Sequence, residues 1–290
     1  AVARAGTEPW RAAGRLARLG ASAAGRTRLA ETAAGIARTV GEDVLPSAPA
    51  CFLNGPIGPR RTLVGHAVPI DRVLEIKRVR AVSLNDVALA VVAGALRRLA
   101  LSGGRPADRL KIMVPVSRRA GEGAADPGNQ IAFVFVELPV HLADPGERLA
   151  AVHEATQAFK AGGHAGGGEA LLGALGMLPG PVQAQAAKVM SSPRMYNLVV
   201  SNVPGPRFPV YLLGAECVEA LPVIPLSEGH ALSIGMFSLA GTLCFSGYAD
   251  PGALPEVSEL PAALEASIAE LAPAGAPARR RPRQKTGLSV

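Results

Sequence analysis

The clearest element in the hydrophobic pattern is a helix that follows Ser83. Apolar residues recur at helical spacing from Val87 to Leu99, and Gly103–Gly104 end the pattern. Because the apolar positions leave little polar surface along its length, the pattern predicts a buried helix with a polar first turn. The rest of the chain should be organised around this helix.

Two polar residues, Asn85 and Asp86, stand in the first turn of this predicted helix. Asp86 follows Ser83 by three residues, so one interpretation is a capping box beside the positive end of the helix dipole. The other is an amide and a carboxylate that brace a loop or orient a catalytic group from elsewhere. Capping is the ordinary pattern for such residues and is favoured on spacing alone.

Shorter segments predict the strands and helices around it. Strands are predicted at 62–68, 110–116, 131–136 and 195–200, around Tyr211, at 217–221, and in a hairpin of 232–236 and 243–245 around Ala240–Gly241. Helices are predicted at 71–77, after Asp144–Pro145, and from Val257 to Leu271. The run 131–136 is apolar throughout, which predicts a strand covered on both faces. Interleaved helices and strands favour a layered α/β domain.

Composition divides the chain into three parts. Residues 1–47 carry amphipathic helical patterns without strands and are interpreted as a helical connector, whereas residues 48–274 carry the α/β pattern. Residues 275–290 are interpreted as a disordered basic tail, because four arginines and one lysine lie within its last twelve residues. With 290 residues, 49% of them hydrophobic, the chain can form a sizeable core.

Charge and cysteine usage bear on partners and location. The net charge of +7 comes largely from the tail, so it is weak support for a nucleic-acid partner, and none is expected. A solvated tail is favoured over one that binds an anionic lipid surface. Three cysteines without metal-ligand or CxxC spacing indicate a reducing compartment, hence a cytoplasmic protein. No signal peptide or spanning segment is predicted, and the first residue, Ala1, suggests a fragment.

Local catalytic motifs are scarce. The five histidines never lie within five residues of one another, which excludes HExxH, and neither GxSxG nor a P-loop occurs. The glycine-rich run around His164 is favoured as a linker over an oxyanion loop. His153 is expected at the surface or boundary of a helix. His230 is placed near a cleft, where a structural histidine is favoured over a general base.

Five separated motifs carry a resemblance to a known family. They are Leu53–Arg61 (LNGPIGPRR), Asn85–Val87 (NDV), Met113–Ser117 (MVPVS), Gly128–Gln130 (GNQ) and Ser201–Pro206 (SNVPGP). Their order and spacing, between about residues 10 and 272, resemble the C-terminal half of the bacterial wax ester synthase/diacylglycerol acyltransferase family.

The resemblance implies a chloramphenicol-acetyltransferase-like fold: a two-layer half, with a mixed sheet packed with helices, preceded by the helical connector. In that family a histidine of an HHxxxDG motif in the N-terminal half is the general base. It deprotonates the hydroxyl of a long-chain alcohol or diacylglycerol, which attacks the thioester of acyl-CoA. HHxxxDG does not occur in this sequence. The resemblance therefore implies a second half, starting in the connector, that is inactive alone and that exposes an apolar face to its missing companion.

The resemblance also assigns roles to residues. Asn85 and Asp86 match the family's ND motif and are expected to support the active site; no catalytic residue, metal or cofactor is expected, and acyl-CoA is the substrate. Candidates for lining the tunnel are Asn129, Gln130, Ser201, Asn202, Pro204, Gly205 and His230. Two hypotheses follow: an O-acyltransferase active only with an HHxxxDG half, or a non-enzymatic module that binds lipid or a partner. Either could lie peripherally at membranes or lipid inclusions.

Overall fold

A computed structural model of the chain describes residues 47–117, 131–161, 185 and 187–273. Several predictions fall outside the described residues. These are nearly all of the predicted connector, the basic tail, the glycine-rich run around His164, and Asn129 and Gln130.

Eight strands and four α-helices have described bounds, and residues 187–190 are also helical. The strands are β1 (Thr62–Pro69), β2 (Leu110–Ser117), β3 (Ile131–Leu138), β4 (Leu198–Val203), β5 (Tyr211–Leu212), β6 (Ala215–Glu216), β7 (Leu232–Leu239) and β8 (Thr242–Ala249). The helices are α1 (Ile70–Arg80), α2 (Leu84–Ser102), α3 (Pro145–Ala161) and α4 (Leu260–Leu271), the last preceded by a 3-10 turn at Pro255–Glu259.

Six strands form one mixed sheet in the order β1-β8-β7-β4-β2-β3, and β5 pairs with β6 in a separate ribbon. β4 runs parallel to both β2 and β7, and the other neighbours are antiparallel. The β7–β8 hairpin turns at Ala240 and Gly241, whose φ angles of 45° and 88° are those of a two-residue turn that suits the twist of the strands. The predicted α/β class and mixed sheet are confirmed.

Helix α2 is the centre of the helical layer, as its hydrophobic pattern predicts. It packs against α1, α3 and α4, and its side chains are buried almost continuously from Asp86 to Leu96. Gly94 lies where α2 meets the buried side chains of Arg148 on α3 and Ser267 on α4. Arg148, 1% exposed, is paired with Glu270 of α4 at 3.1 Å. The three helices are thus joined by close packing and by Glu270 of α4, which pairs with Arg148 of α3 and with Arg98 of α2.

The opposite face of the sheet is covered by an extended segment, residues 221–224. Ser233 of β7 donates a hydrogen bond to the Ile224 carbonyl (2.6 Å), and Ser246 of β8 donates to the Pro222 carbonyl. A smaller apolar cluster around Tyr196 and Val199 continues this cover toward β2 and β3. The main core therefore lies between the sheet and the helices.

Three element predictions need correction. β3 is an edge strand; of its residues 133–138, the alternate Val134, Val136 and Leu138 are buried, whereas Phe133 and Phe135 on the other face are half-buried, so full cover on both faces is wrong. The second short strand is Ala215–Glu216 and not 217–221, because the tight turn at Leu213–Gly214 returns the chain at once. β4 begins and ends three residues later than predicted, so it includes Ser201 and Asn202.

None of the described helices has by itself the length and hydropathy needed to cross a bilayer. Helices α1 and α2 reach these values only if they are taken together, and the chain bends by 106° between them.

Candidate functional site

The first turn of α2 contains the predicted capping box. Ser83 Oγ accepts a hydrogen bond from the Asp86 backbone N–H (3.1 Å), and Asp86 Oδ2 accepts one from the Ser83 N–H (2.9 Å). The capping interpretation of Asp86 is therefore confirmed. Helix capping does not account for all the hydrogen bonds that the Asp86 carboxylate makes.

The Asp86 side chain has no solvent exposure and receives two further hydrogen bonds from α3. His153 Nδ1 lies 2.8 Å from Oδ2, and Thr156 Oγ1 donates to Oδ1 over 2.7 Å. Burial opposes ionisation, but the hydrogen bonds from His153, Thr156 and Ser83 outweigh it and hold the pKa of Asp86 below its ordinary value. An ionised carboxylate only accepts hydrogen bonds, so His153 Nδ1 carries a proton.

Asn85, the residue before this carboxylate, reaches the end of β4. Its Oδ1 accepts a hydrogen bond from Asn202 Nδ2 over 3.3 Å. The structure therefore brings together three residues that the sequence singled out, Asn85, Asp86 and Asn202. They come from two segments separated by 117 positions.

The chain leaves the sheet immediately after Asn202, in the turn Val203–Pro206. The Gly205 N–H donates to Ser238 Oγ (3.1 Å), and a Cβ on Gly205 would lie 2.1 Å from the Ser238 carbonyl oxygen. Only glycine allows this close approach, which fixes the turn against the end of β7. Ser201 is buried within β4, whereas Pro204, which follows the strand in the turn, is exposed.

His230 lies away from this turn, just before β7. It is 2% exposed, its two ring nitrogens each lie 3.1 Å from a backbone carbonyl oxygen, of Glu228 and Tyr196, and its ring stacks on Tyr196. Both nitrogens are engaged with the protein's own backbone, which is the environment of a structural histidine. Its role as a tunnel-lining residue stays a prediction.

Asn197, which sequence reasoning did not single out, anchors the loop that carries LNGPIGPRR. Its Nδ2 donates to Asn54 Oδ1 and to the Pro49 carbonyl, both at 2.7 Å, and its Oδ1 accepts from the Lys111 N–H at 2.7 Å. Asn54 returns a hydrogen bond to the Asn197 carbonyl (3.0 Å). The signal in the sequence was an asparagine directly before an apolar strand, and the structure buries it fully.

His153 is the second residue that sequence reasoning missed, because it was expected to be only a boundary residue. Its side chain is 34% exposed, which fits that expectation, but its hydrogen bond to Asp86 does not follow from it. The spacing of His153 and Thr156, three residues apart on one helix face, was the only local signal.

Large exposed hydrophobic side chains concentrate in one segment that follows the Val203–Pro206 turn. Eight of the twelve found in the described residues lie between 203 and 223: Val203, Phe208, Val210, Tyr211, Leu212, Leu213, Val218 and Val223. We call residues 208–218, which contain β5 and β6, the apolar ribbon. At its tip Leu213 is fully exposed.

The described residues contain no group of three or more His, Cys, Asp or Glu side chains that could hold a metal ion. The site consists of amides, one buried carboxylate and one histidine. Such groups can orient a hydroxyl or a carbonyl and can brace a neighbouring segment.

Comparison with known proteins gives consistent similarities. Residues 127–272 match the family description "WS/DGAT C-terminal domain". A putative diacylglycerol O-acyltransferase of Mycobacterium tuberculosis is 34% identical over 265 residues, which cover 89% of this chain and 59% of the relative. A probable diacylglycerol O-acyltransferase of the same organism is 33% identical over 226 residues, which cover 77% of this chain and 49% of the relative. The chain thus spans about half the length of the curated relatives it matches.

Solved structures show the same fold. The wax ester synthase/diacylglycerol acyltransferase of Marinobacter aquaeolei superposes with a TM-score of 0.63 at 23% identity, over 85% of this chain and 55% of that one. A structure solved for condensation domain-mediated chain release from the enacyloxin polyketide synthase gives a TM-score of 0.50 at 15% identity, over 86% of this chain and 48% of that one.

Proposed function

Since the chain belongs to the wax ester synthase/diacylglycerol acyltransferase family, we propose that it forms the C-terminal half of an acyl-CoA-dependent O-acyltransferase. The products would be triacylglycerol from diacylglycerol, or wax esters from long-chain alcohols. Acyl-CoA is a substrate of this reaction, and no cofactor is required.

The observation that carries the proposal is the meeting of Asn85 and Asn202 beside the buried carboxylate of Asp86. The two amides come from a helix start and a strand end, and both ends are fixed: one by the capping box, the other by the glycine turn at Gly205. A rigid polar corner of this kind can hold a reacting group in position, which lowers the entropy cost of an acyl transfer between two substrates.

The general base belongs to a companion half that carries HHxxxDG. Its histidine takes the proton from the acceptor hydroxyl while the oxygen attacks the thioester carbonyl. The C–S bond then breaks, and the CoA thiolate leaves with the proton that the histidine returns. In this scheme the described chain supplies the wall and the polar corner of the cavity.

The apolar ribbon supports a companion half as the partner. A two-stranded ribbon is marginally stable by itself in water, and a concentrated apolar patch marks an interaction surface. The ribbon follows the Val203–Pro206 turn, which comes directly after Asn202, so a half bound to the ribbon would lie next to the polar corner.

The test is to reconstitute the two halves. The chain is assayed alone and together with the HHxxxDG half of a relative, with labelled acyl-CoA and either diacylglycerol or a long-chain alcohol. Ester should form only with both halves, and not when the first-half base histidine is replaced by alanine. Ester made by the chain alone would refute this division of roles.

A ribbon variant sharpens the same test. Leu212→Ser with Leu213→Ser should weaken the complementation, because these two side chains are among the most exposed in the ribbon. Val79→Ser is the control, since Val79 is 60% exposed on α1, far along the chain from the ribbon. Equal loss in both variants would show that the ribbon is not the contact.

The alternative is a non-enzymatic lipid-binding module. The same exposed apolar side chains, together with the basic residues near the C-terminus, would favour an anionic lipid surface. Flotation with vesicles of anionic phospholipid tests it. Vesicle binding without ester formation in the presence of the companion half would favour this alternative.

A further inference from the structure

Helix α3 holds the functional end of α2 through one buried carboxylate. A capping box needs only Ser83 and Asp86, and exposed capping boxes are sufficient to begin helices. Here the carboxylate is fully buried under α3 and receives two additional hydrogen bonds, from His153 and Thr156. These two donors are therefore not explained by helix capping.

Their effect is to fix the position of Asp86, and with it Asn85. The two residues are adjacent on a helical backbone, so a shift of one Cα moves the other. The Asn85–Asn202 hydrogen bond is 3.3 Å long, beyond the usual range of about 2.7 to 3.2 Å for nitrogen donors. A contact of this length is lost after a small displacement, so it depends on whatever holds α2 in place.

We propose that His153 and Thr156 are positioning residues of the ester-forming site, which act through Asp86 on the Asn85–Asn202 contact. The inference rests on the proposed function. It assigns the control of that site to a face of α3 that no family motif in this sequence marks.

Matched variants separate this role from general packing. His153→Asn keeps an N–H donor near the Nδ1 position, whereas His153→Gln moves the amide to the Nε2 position. Thr156→Ser keeps the hydroxyl, whereas Thr156→Val replaces it by a methyl group of similar shape. Glu154→Gln is the control on α3, because Glu154 is exposed between the two.

The assay measures kcat and KM for both substrates in the reconstituted acyltransferase, with the urea midpoint of each variant. His153→Gln and Thr156→Val should lower kcat about 10- to 100-fold, as misplacement of about 1 Å does, with smaller effects on KM. His153→Asn and Thr156→Ser should restore most of the activity, and Glu154→Gln should leave it unchanged. Equal loss of activity in the His153→Asn and His153→Gln variants would show that a donor at the Nδ1 position is not what matters, and would overturn the proposal.

A second measurement distinguishes failure of this proposal from failure of the proposed function. Amide hydrogen exchange of the chain itself is followed at residues 84–87 and 201–203. Exchange should accelerate in His153→Gln and Thr156→Val and stay near wild type in the Asn and Ser variants. If the wild-type chain and its companion half make no ester, the proposed function is wrong, and the exchange rates alone decide whether His153 and Thr156 position the first turn of α2. Unchanged exchange in the Gln and Val variants would overturn the positioning role.

Discussion

Replacing Gly94 by alanine places a methyl group where three helices meet. The new Cβ would lie 2.2 Å from Ser267 Oγ, 2.8 Å from Arg148 Nη2 and 3.1 Å from Ser267 Cβ. The Arg148 guanidinium cannot simply swing away, because it is buried and bound to Glu270 and to the Leu142 carbonyl. Helices α3 and α4 must therefore move away from α2.

The expected loss follows from two opposing effects. Overpacking of a close-packed core costs about 1–3 kcal/mol, and a separation of 2.2 Å belongs at the upper end. Alanine in place of a helix-interior glycine returns about 1 kcal/mol through helix propensity. We expect Gly94→Ala to lower the free energy of unfolding by about 2 kcal/mol.

The Ser267→Ala background tests this reasoning directly. Ser267 Oγ is buried without a hydrogen-bond partner in the described structure, and an unsatisfied buried hydroxyl costs about 1–3 kcal/mol, so its removal alone should not destabilise the fold. With the oxygen gone, Gly94→Ala should cost at least about 1 kcal/mol less than in wild type, a coupling typical of residues in contact. The free energy of unfolding is measured by urea denaturation for wild type, the two single variants and the double variant, with the denaturant slope required to be the same in all four. An undiminished loss in the Ser267→Ala background, or no loss in wild type, would refute the reasoning.

Three further predictions concern the site and its surroundings. The pKa of Asp86 in the folded protein lies below its ordinary value of 3.8, so its ionisation stabilises the fold above that pH, and this stabilisation is lost as the pH falls through the folded pKa. The difference in unfolding free energy between wild type and Asp86→Asn should therefore become smaller in acid. A difference that stays constant down to about pH 2 would contradict the assignment. Burial raises the pKa of the Cys51 thiol to about 11, so iodoacetamide at about pH 8 should label Cys217 well before Cys51, as peptide mass mapping will show; equal rates would contradict this. Gly205→Ala should force the Val203–Pro206 turn away from Ser238 and accelerate amide exchange at residues 237–240. Gly214→Ala, at the open tip of the ribbon, is the control and should leave exchange at residues 237–240 unchanged.

Local sequence patterns were sufficient for features whose determinants are close in the chain. The capping box at Ser83 and Asp86 lies within four residues, and the β7–β8 turn needs only Ala240 and Gly241 in positive φ. Both features are set by residues that are neighbours in the chain, so the local pattern is enough to predict them.

Features set by packing between distant segments could not be predicted in the same way. The His153–Asp86 hydrogen bond joins residues 67 positions apart, and it depends on how α3 lies across α2. The partial cover of one face of β3 depends on strand order, since a run of apolar residues is compatible with both central and edge positions. The helix-start pattern and the family resemblance both marked Asn85 and Asp86 as residues of interest, but neither gave an account of the α3 side chains that hold them.

The burial of Asp86 links the stability of this half to the geometry of its polar corner. An ionised carboxylate without water is costly unless its oxygens are hydrogen-bonded, and here the Ser83 N–H, His153 and Thr156 replace the water. Because two of these donors come from α3, the carboxylate is satisfied only when α3 is docked on α2. Any substitution that loosens the α2–α3 interface should therefore also disturb Asn85, even if it lies far from Asn202. Loss of activity in such variants must be separated from loss of stability by comparing kcat with the unfolding midpoint.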